Sequence, residues 1–195
     1  WDVQVVTAMN DRSEISRKNL NERLQELLNP HGRQVSGTKF RVEDKVVCLK
    51  NGNYFDAEYR DEKQFVANGE LARVVDRDED WVYMRLDDPT RHIKVKRSIE
   101  TPEFRLSDCW DLGYCLSTHR SQGSQWRFVI VMVDSTGVAS RVQTRNWIYT
   151  AISRAEDATF VVGSQEACDM MMPKDGTSHR RTLLVEQAKL IEAAD

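Results

Sequence analysis

Three short, almost unbroken apolar runs mark the chain: Asp2-Val-Gln-Val-Val-Thr7, Phe128-Val-Ile-Val-Met-Val133 and Ala158-Thr-Phe-Val-Val162. Their length and β-branched content predict strands, and the second reads as a strand covered on both faces. Leu112 to Ser117 predicts another. Around these runs the apolar spacing changes to three and four. Leu20, Leu24, Leu27 and Leu28 recur at i, i+4, i+7 and i+8 and predict one buried helix face. Ser13 is the expected N-cap of that helix, Glu14 lies just inside it, and Asn29-Pro30-His31-Gly32 ends it. A second helix is expected over about 141–153, with Ile148, Ala151 and Ile152 on its inner side, and further helical stretches at 164–171 and 180–194. Strands alternating with helices predict a parallel α/β sheet.

Between about Lys39 and Glu100 the pattern is different. Phe40 to Leu49, Glu70 to Val75, Trp81 to Leu86 and His92 to Lys96 are short strand patterns separated by acidic turns. Residues 51–64 show no clear period and read as a long loop. Short strands at this spacing predict a small antiparallel barrel or sandwich. The expected organisation is an α/β domain at 1–38 plus 105–195, interrupted by a β insert at 39–104.

Composition narrows the function classes. With 195 residues and 40% hydrophobic positions there is material for a real core. No apolar run approaches the ~18–20 residues that span a bilayer. A net charge of −3 argues against a generic basic nucleic-acid coat. Cys48, Cys109, Cys115 and Cys168 contain no C-x-x-C pair and the four histidines are scattered, so no metal site is expected. Unpaired thiols suit a reducing cytoplasm. The chain starts at Trp1 and enters a strand directly, and so reads as a piece of a longer protein.

Two segments carry candidate chemistry. In Tyr114-Cys-Leu-Ser-Thr-His-Arg-Ser-Gln-Gly-Ser-Gln-Trp126 a strand gives way to a donor-rich turn, with Gly123 allowing close backbone approach. Such a turn is expected at the carboxyl edge of a parallel sheet, where hydroxyl, imidazole, guanidinium and amide donors suit a phosphate. An ordinary polar connection is the competing reading. In Asn146-Trp-Ile-Tyr-Thr-Ala-Ile-Ser-Arg-Ala-Glu156 one helix face is apolar, and Arg154 falls near its end, placed either to reach a phosphate or simply to complement the helix dipole. There is no G-x-x-x-x-G-K-[ST] P-loop and no G-x-S-x-G elbow in the chain. In the insert, Arg91 to Arg97 alternates Ile93 and Val95 with Lys94 and Lys96. An edge strand kept soluble by lysines is favoured there over a DNA-tracking ladder. Trp81 and Tyr83 are expected to pack the barrel rather than stack bases.

Taken together and in order, T-H-R-S-Q-G-S-Q-W and R-N-W-I-Y-T-A-I-S-R-A-E resemble motifs V and VI of superfamily 1 DNA helicases of the RecD-like branch. Val3 to Met9, the Leu20 to Pro30 helix, Lys45 to Asn51 and Asn68 to Val75 resemble the second motor domain and small SH3-like insert of that branch. The resemblance implies a RecA-like domain without its own P-loop, carrying an inserted SH3-like barrel. It implies a role for Arg154 as an arginine finger, and for Gly123, Gln125 and Arg154 in contacting nucleotide. Thr118, His119, Arg120, Gln122, Asn68 and Tyr149 would lie along single-stranded DNA. Gln125 departs from the acidic residue common at that position, and 51–68 is longer than the usual hairpin loop.

The implied function is a part of an ATP-dependent DNA helicase of 5′→3′ direction. ATP and Mg²⁺ would be shared with an N-terminal P-loop motor domain of the same protein, which would hold the metal. The family's other γ-phosphate arginine would lie upstream of Trp1. The fragment alone is expected not to hydrolyse ATP. A stand-alone nucleic-acid or protein binding module derived from a helicase is the alternative, and the reading frame upstream of Trp1 would discriminate between the two.

Overall fold

A computed structural model describes residues 1–59, 61–97, 106–135 and 138–176. Two sheets organise it. A four-stranded, all-parallel sheet has the order β11-β10-β1-β9, built from β1 (Val3–Thr7), β9 (Cys115–Ser117), β10 (Trp126–Met132) and β11 (Ala155–Val162). A seven-stranded antiparallel sheet curls around its own core in the order β4-β3-β7-β6-β5-β2-β8. Its strands are β2 (Lys45–Cys48), β3 (Gly52–Asp56), β4 (Lys63–Val66), β5 (Leu71–Arg77), β6 (Trp81–Leu86), β7 (Arg91–Lys96) and β8 (Trp110–Leu112). The helices are α1 (Arg17–Leu28), α2 (Leu106–Cys109), α3 (Ala139–Val142), α4 (Arg145–Ile152) and α5 (Gln165–Met171). The mixed parallel α/β and antiparallel architecture agrees with the expected fold class. Among the described residues no helix is long and apolar enough to cross a membrane.

The expected single strand over 112–117 is two strands that serve different sheets. β8 pairs with β2, and three residues later β9 pairs with β1. Gly113 makes the switch possible. Its amide donates to Lys45 O at 2.8 Å, and a Cβ there would sit 2.9 Å from the Val46 carbonyl carbon. Only a residue without a side chain lets the crossing strand come this close.

Helix α1 departs from its periodicity. It starts at Arg17 with Ser16 as N-cap, and Ser13 instead donates to Asp134 Oδ2 at 2.6 Å. Leu27 and Leu28 are 73% and 63% exposed, while Asn21 and Gln25 face inward. The cause is the edge strand beneath. Asn21 accepts from Cys115 N at 2.8 Å and donates to Cys115 O at 2.9 Å, so one side-chain amide completes the open backbone of β9. Satisfying a buried strand edge outweighs burying two leucines there.

Residues 51–64 contain β3 and lead into β4, not a long loop. Asp56 closes this hairpin by accepting from Glu58 N and Tyr59 N at 2.8 and 3.0 Å, which holds its carboxyl below the usual range. The stretch 141–153 divides at Gln143-Thr144, where the Thr144 hydroxyl caps α4 through Trp147 N. Phe40 lies ahead of β2, fully buried. The expected helix at 180–194 lies outside the described residues.

Two cores result. One fills the curled sheet around Trp110, Phe40, Met84, Leu86 and Ile93. The other packs Trp147, Ala151 and Met171 against Val129, Val131 and Leu116, and takes in Val47 of β2. Among the described residues β10 is covered on one face. Val129 and Val131 are buried beneath the helices, while Phe160 and Val162 of the neighbouring β11 are 55% and 46% exposed.

Candidate functional site

Residues 118–125 connect β9 to β10 across the sheet, and this path determines what they can do. Ser117 sits level with Thr7 at the carboxyl end of β1, whereas Phe128 sits level with Val3 at its start. Between Ser117 and Phe128 the chain therefore descends about 13 Å, four residue steps, from the carboxyl toward the amino edge. The two ends of this path offer different chemistry.

At the carboxyl edge Thr118 is buried, with its amide and hydroxyl both donating to Thr7 O, at 3.1 and 3.4 Å. Ser121 is fully buried and closes the turn through Thr118 O at 2.8 Å. These two hydroxyls are used internally. The outward donors are His119, Arg120 and Gln122, of which His119 and Gln122 are exposed. Arg120 is half-buried, and one of its terminal guanidinium nitrogens has no hydrogen-bond partner. Burial first, and the neighbouring Arg17 second, pull its pKa below the ordinary value, against the pull of Asp111. An under-satisfied guanidinium beside another cation is an environment that an anion would relieve.

Arg17 and Lys39 both form ion pairs with the Asp111 carboxylate. Nothing in the spacing of these residues marks them; only the fold brings α1, the start of the insert and β8 together. Asn68 is exposed and receives support from Asn51, whose Oδ1 accepts Asn68 N at 2.7 Å. The following Gly69 adopts φ +97°, and a Cβ on it would lie 4.0 Å from Arg120 O. The antiparallel sheet thus brings its Asn68-Gly69 turn to the 118–125 connection.

At the amino edge stands Arg154, half-buried, just beyond the end of α4. Its Nε donates to Thr150 O at 3.2 Å, one terminal nitrogen to Ser124 O at 3.5 Å and the other to Ser153 Oγ at 3.1 Å. Its own carbonyl accepts from Trp126 N at 2.9 Å. The two motif segments are therefore in direct contact, through Trp126 and through Ser124, a residue that nothing in the sequence marks. Every acceptor around the guanidinium is neutral. Among the described residues no carboxylate pairs with Arg154, so its full charge remains available.

Gly123 has φ +87°, a conformation that L side chains rarely adopt, yet nothing lies within 4 Å of a Cβ placed there. The backbone turn itself requires glycine here, and the open space beside it leaves the backbone accessible. Gln125 is exposed and lines a crevice of about 360 Å³ with Gly69, Asp87, Asp88, Gly123 and Glu156. Its acidic walls disfavour phosphate and leave the Gln125 amide as a neutral hydrogen-bonding group. Tyr149 is 69% exposed on α4, one turn before Ser153. Among the described residues no group of three His, Cys, Asp or Glu side chains is placed to hold a metal ion.

Residues 112–162 match the UvrD-like helicase C-terminal domain. Along 189 residues, 96% of the chain, it is 30% identical to an ATP-dependent RecD2 DNA helicase of Deinococcus radiodurans. The chain spans 23% of that relative's length. The fold is similar to that of a Pif1 helicase from Bacteroides solved with ADP-AlF3 and single-stranded DNA. The TM-score is 0.55 at 13% identity, covering 99% of this chain and 46% of that one. A Pif1 helicase from Candida albicans gives a TM-score of 0.54 at 18% identity, covering all of this chain and 50% of that one.

Proposed function

We propose that this chain, similar over residues 112–162 to the UvrD-like helicase C-terminal domain and 30% identical to a RecD2 helicase, is the second motor half of an ATP-dependent DNA helicase of the RecD-like branch. In this reading 1–38 and 105–195 form a RecA-like motor domain, and 39–104 is its SH3-like insert. The RecD2 relative is named an ATP-dependent DNA helicase, and the Bacteroides Pif1 neighbour was solved with a nucleotide analogue and single-stranded DNA. In this reading the ATP and its divalent ion would be held mainly by an N-terminal P-loop motor domain of the same protein.

The observation that carries the proposal is the Arg154 guanidinium, fixed by Thr150 O and Ser153 Oγ at the end of α4 and by Ser124 O on the 118–126 connection, with no carboxylate among the described residues to neutralise it. A cation so held is preorganised to stabilise charge developing on the γ-phosphate of a nucleotide presented by another domain. Gly123 shapes the turn behind it, and Gln125 offers its amide to the sugar of the same nucleotide. At the other end of the connection His119, Arg120 and Gln122 present donors to the DNA backbone, joined by Asn68 from the insert. Thr118 positions them through Thr7. Tyr149 offers an exposed ring on α4 toward DNA or the facing domain. The connection would then link nucleotide state at one sheet edge to DNA grip at the other.

The test uses the full-length protein. Arg154→Ala lowers DNA-stimulated ATP hydrolysis by roughly 10³-fold or more, while single-stranded DNA affinity stays within about twofold. Arg154→Lys does not restore the rate, because one ammonium cannot keep three acceptors and also reach a phosphate. The 195-residue chain alone shows no ATP turnover. Unchanged hydrolysis in Arg154→Ala, or turnover by the isolated chain that this substitution abolishes, overturns the assignment.

A further inference from the structure

Along β6, Val82, Met84 and Leu86 are fully buried, so Trp81, Tyr83 and Arg85 point away from the core. This reverses the expectation that the two aromatics fill the barrel. The neighbouring strands continue the same outer face. Trp81 lies opposite Lys96, Tyr83 opposite Lys94, and Lys94 in turn opposite Phe55, which lies opposite Lys63. The order across the face is therefore cation, ring, cation, ring.

The rings are fixed. Phe55 and Trp81 meet edge to face with centroids 5.5 Å apart, and the Tyr83 hydroxyl donates to Asp78 at 2.8 Å. The cations are free to move onto a ligand. Lys63 stands over Phe55, and Lys94 and Lys96 over Trp81, at 4.9 to 5.8 Å. Among the described residues none of Lys63, Arg85, Lys94 and Lys96 is in an ion pair. Phe55, Trp81, Tyr83, Lys94 and Lys96 line a groove of about 740 Å³ together with Asp78, Glu79 and Asp80 of the preceding turn.

We propose that this outer face of the insert is a second binding site, for single-stranded DNA, separate from the 118–125 connection. Rigid rings interleaved with unpaired lysines match what an unpaired strand offers, exposed base faces between phosphates. A duplex hides its base faces and would leave the rings unused. Of the groove's carboxylates, Asp78 is already engaged by Trp81 N, Asp80 N and Tyr83, while Glu79 and Asp80 are exposed and repel phosphate, so the strand's phosphates meet Lys94 and Lys96 instead. Trp81 is five residue steps along β6 from Leu86, whose successors Asp87 and Asp88 line the crevice beside Gly123. At strand spacing that is about 17 Å, so this site holds DNA outside the motor's own track. The proposed function supplies only the identity of the strand as DNA; the site itself stands on the geometry of the insert.

The experiment titrates the 195-residue chain into fluorescein-labelled oligo-dT at several salt concentrations and reads anisotropy. Trp81→Leu weakens binding at least about fivefold. Lys94→Gln with Lys96→Gln lowers the slope of log affinity against log salt by about 1.4. Photocrosslinking with iododeoxyuridine places adducts on Trp81 or Tyr83, both in the wild type and in His119→Ala with Arg120→Ala. Failure of the motor reading would alter only the response to that last double variant. The outer site is overturned if natively folded Trp81→Leu and the lysine variant bind oligo-dT like the wild type, or if adducts avoid β6. It is equally overturned if these variants impair binding of an acidic poly-glutamate peptide while leaving DNA binding intact, since the face would then be a protein-docking surface.

Discussion

Asp44 is fully buried, and its carboxylate is the point at which three parts of the chain meet. It accepts from Gln25 and Asn29 at the end of α1, from Arg41 N at 2.7 Å, and from the Tyr114 hydroxyl at 3.0 Å between β8 and β9. Replacing it with alanine removes a charged acceptor and leaves four donors facing a void. Hydrogen bonds to a charged group contribute about 1.5–3 kcal/mol each, and a stranded buried donor costs about 1–3 kcal/mol. These terms do not add, because water enters the space and side chains relax. A total loss of about 3–5 kcal/mol follows, the range for breaking a buried charged network. Asp44→Asn loses less, about 2–3 kcal/mol, since one acceptor oxygen survives while its amide donors face other donors. The control is the adjacent Glu43→Gln, whose exposed pair with Arg73 at 3.3 Å is worth at most ~1 kcal/mol. Urea unfolding followed by tryptophan fluorescence measures all three, and hydrogen exchange of α1 amides reports whether the helix end loosens. A loss below about 1 kcal/mol in Asp44→Ala, with α1 protection intact, refutes the view that this carboxylate ties the elements together.

Two further outcomes follow from ionisable groups elsewhere. Burial raises the Cys48 and Cys109 thiols and pushes Cys115 up to about 12, so an aromatic disulfide reagent at neutral pH labels Cys168 rapidly and the other three only on unfolding; two or more fast thiols in the native protein contradict the packing. Burial alone would raise the Asp111 carboxyl, but hydrogen bonds from Lys39 and Arg17 outweigh it and hold it below its ordinary value. A depressed carboxyl contributes stability above the unfolded pKa of about 3.9 and loses it as pH falls through the folded value. The stability gap between wild type and Asp111→Asn is therefore flat from pH 7 to 5 and narrows below about pH 4, and a gap independent of pH down to 2 disproves the ion-pair arrangement.

The patterns legible in the sequence were those in which one residue's environment is set by its neighbours in the chain. The parallel strands, the α5 region, the stop of α1 at Asn29 and the turn at Gly123 follow from local period and local conformation. Where distant segments impose a demand, the local pattern misleads. Leucine spacing in α1 pointed to a buried apolar face, but the open edge of β9 called for Asn21 there. Residues 51–64 lacked alternation because Asp56 spends its inward position closing a hairpin. The alternation in β6 was visible, but alternation alone does not say which of two faces is inside. That was decided by the pairing of Tyr83 with Lys94, since a lysine-bearing face cannot be the one packed against Trp110 and Met84. The candidate site was legible as a list of residues and illegible as a layout, because nothing in the spacing shows that the chain descends from one sheet edge toward the other between Ser117 and Phe128.

The layout bears on how an insert of this kind works with a motor. A barrel hung from two flexible strands would move independently, and binding at its outer face would have no consequence for the parallel sheet. Here β8 passes into β9 within three residues, Val47 of the insert's own β2 is buried in the second core, and Asp111 joins Arg17 of α1 to Lys39. Asp44 adds a fully buried polar tie at the same junction. Packed cores and satisfied buried networks shift as units rather than deform continuously. On the proposed reading, the parallel sheet and the outer face of the insert move as one body, and the DNA contact proposed at Trp81 and Lys94 would travel with the segment that carries Arg154. Weakening the junction through Asp44→Asn should then uncouple the two effects: in full-length protein, DNA affinity and ATP hydrolysis survive while the DNA length unwound per ATP consumed falls. If stepping efficiency is unchanged in a variant whose α1 amides exchange faster, the insert is a passenger and the rigid junction serves stability alone.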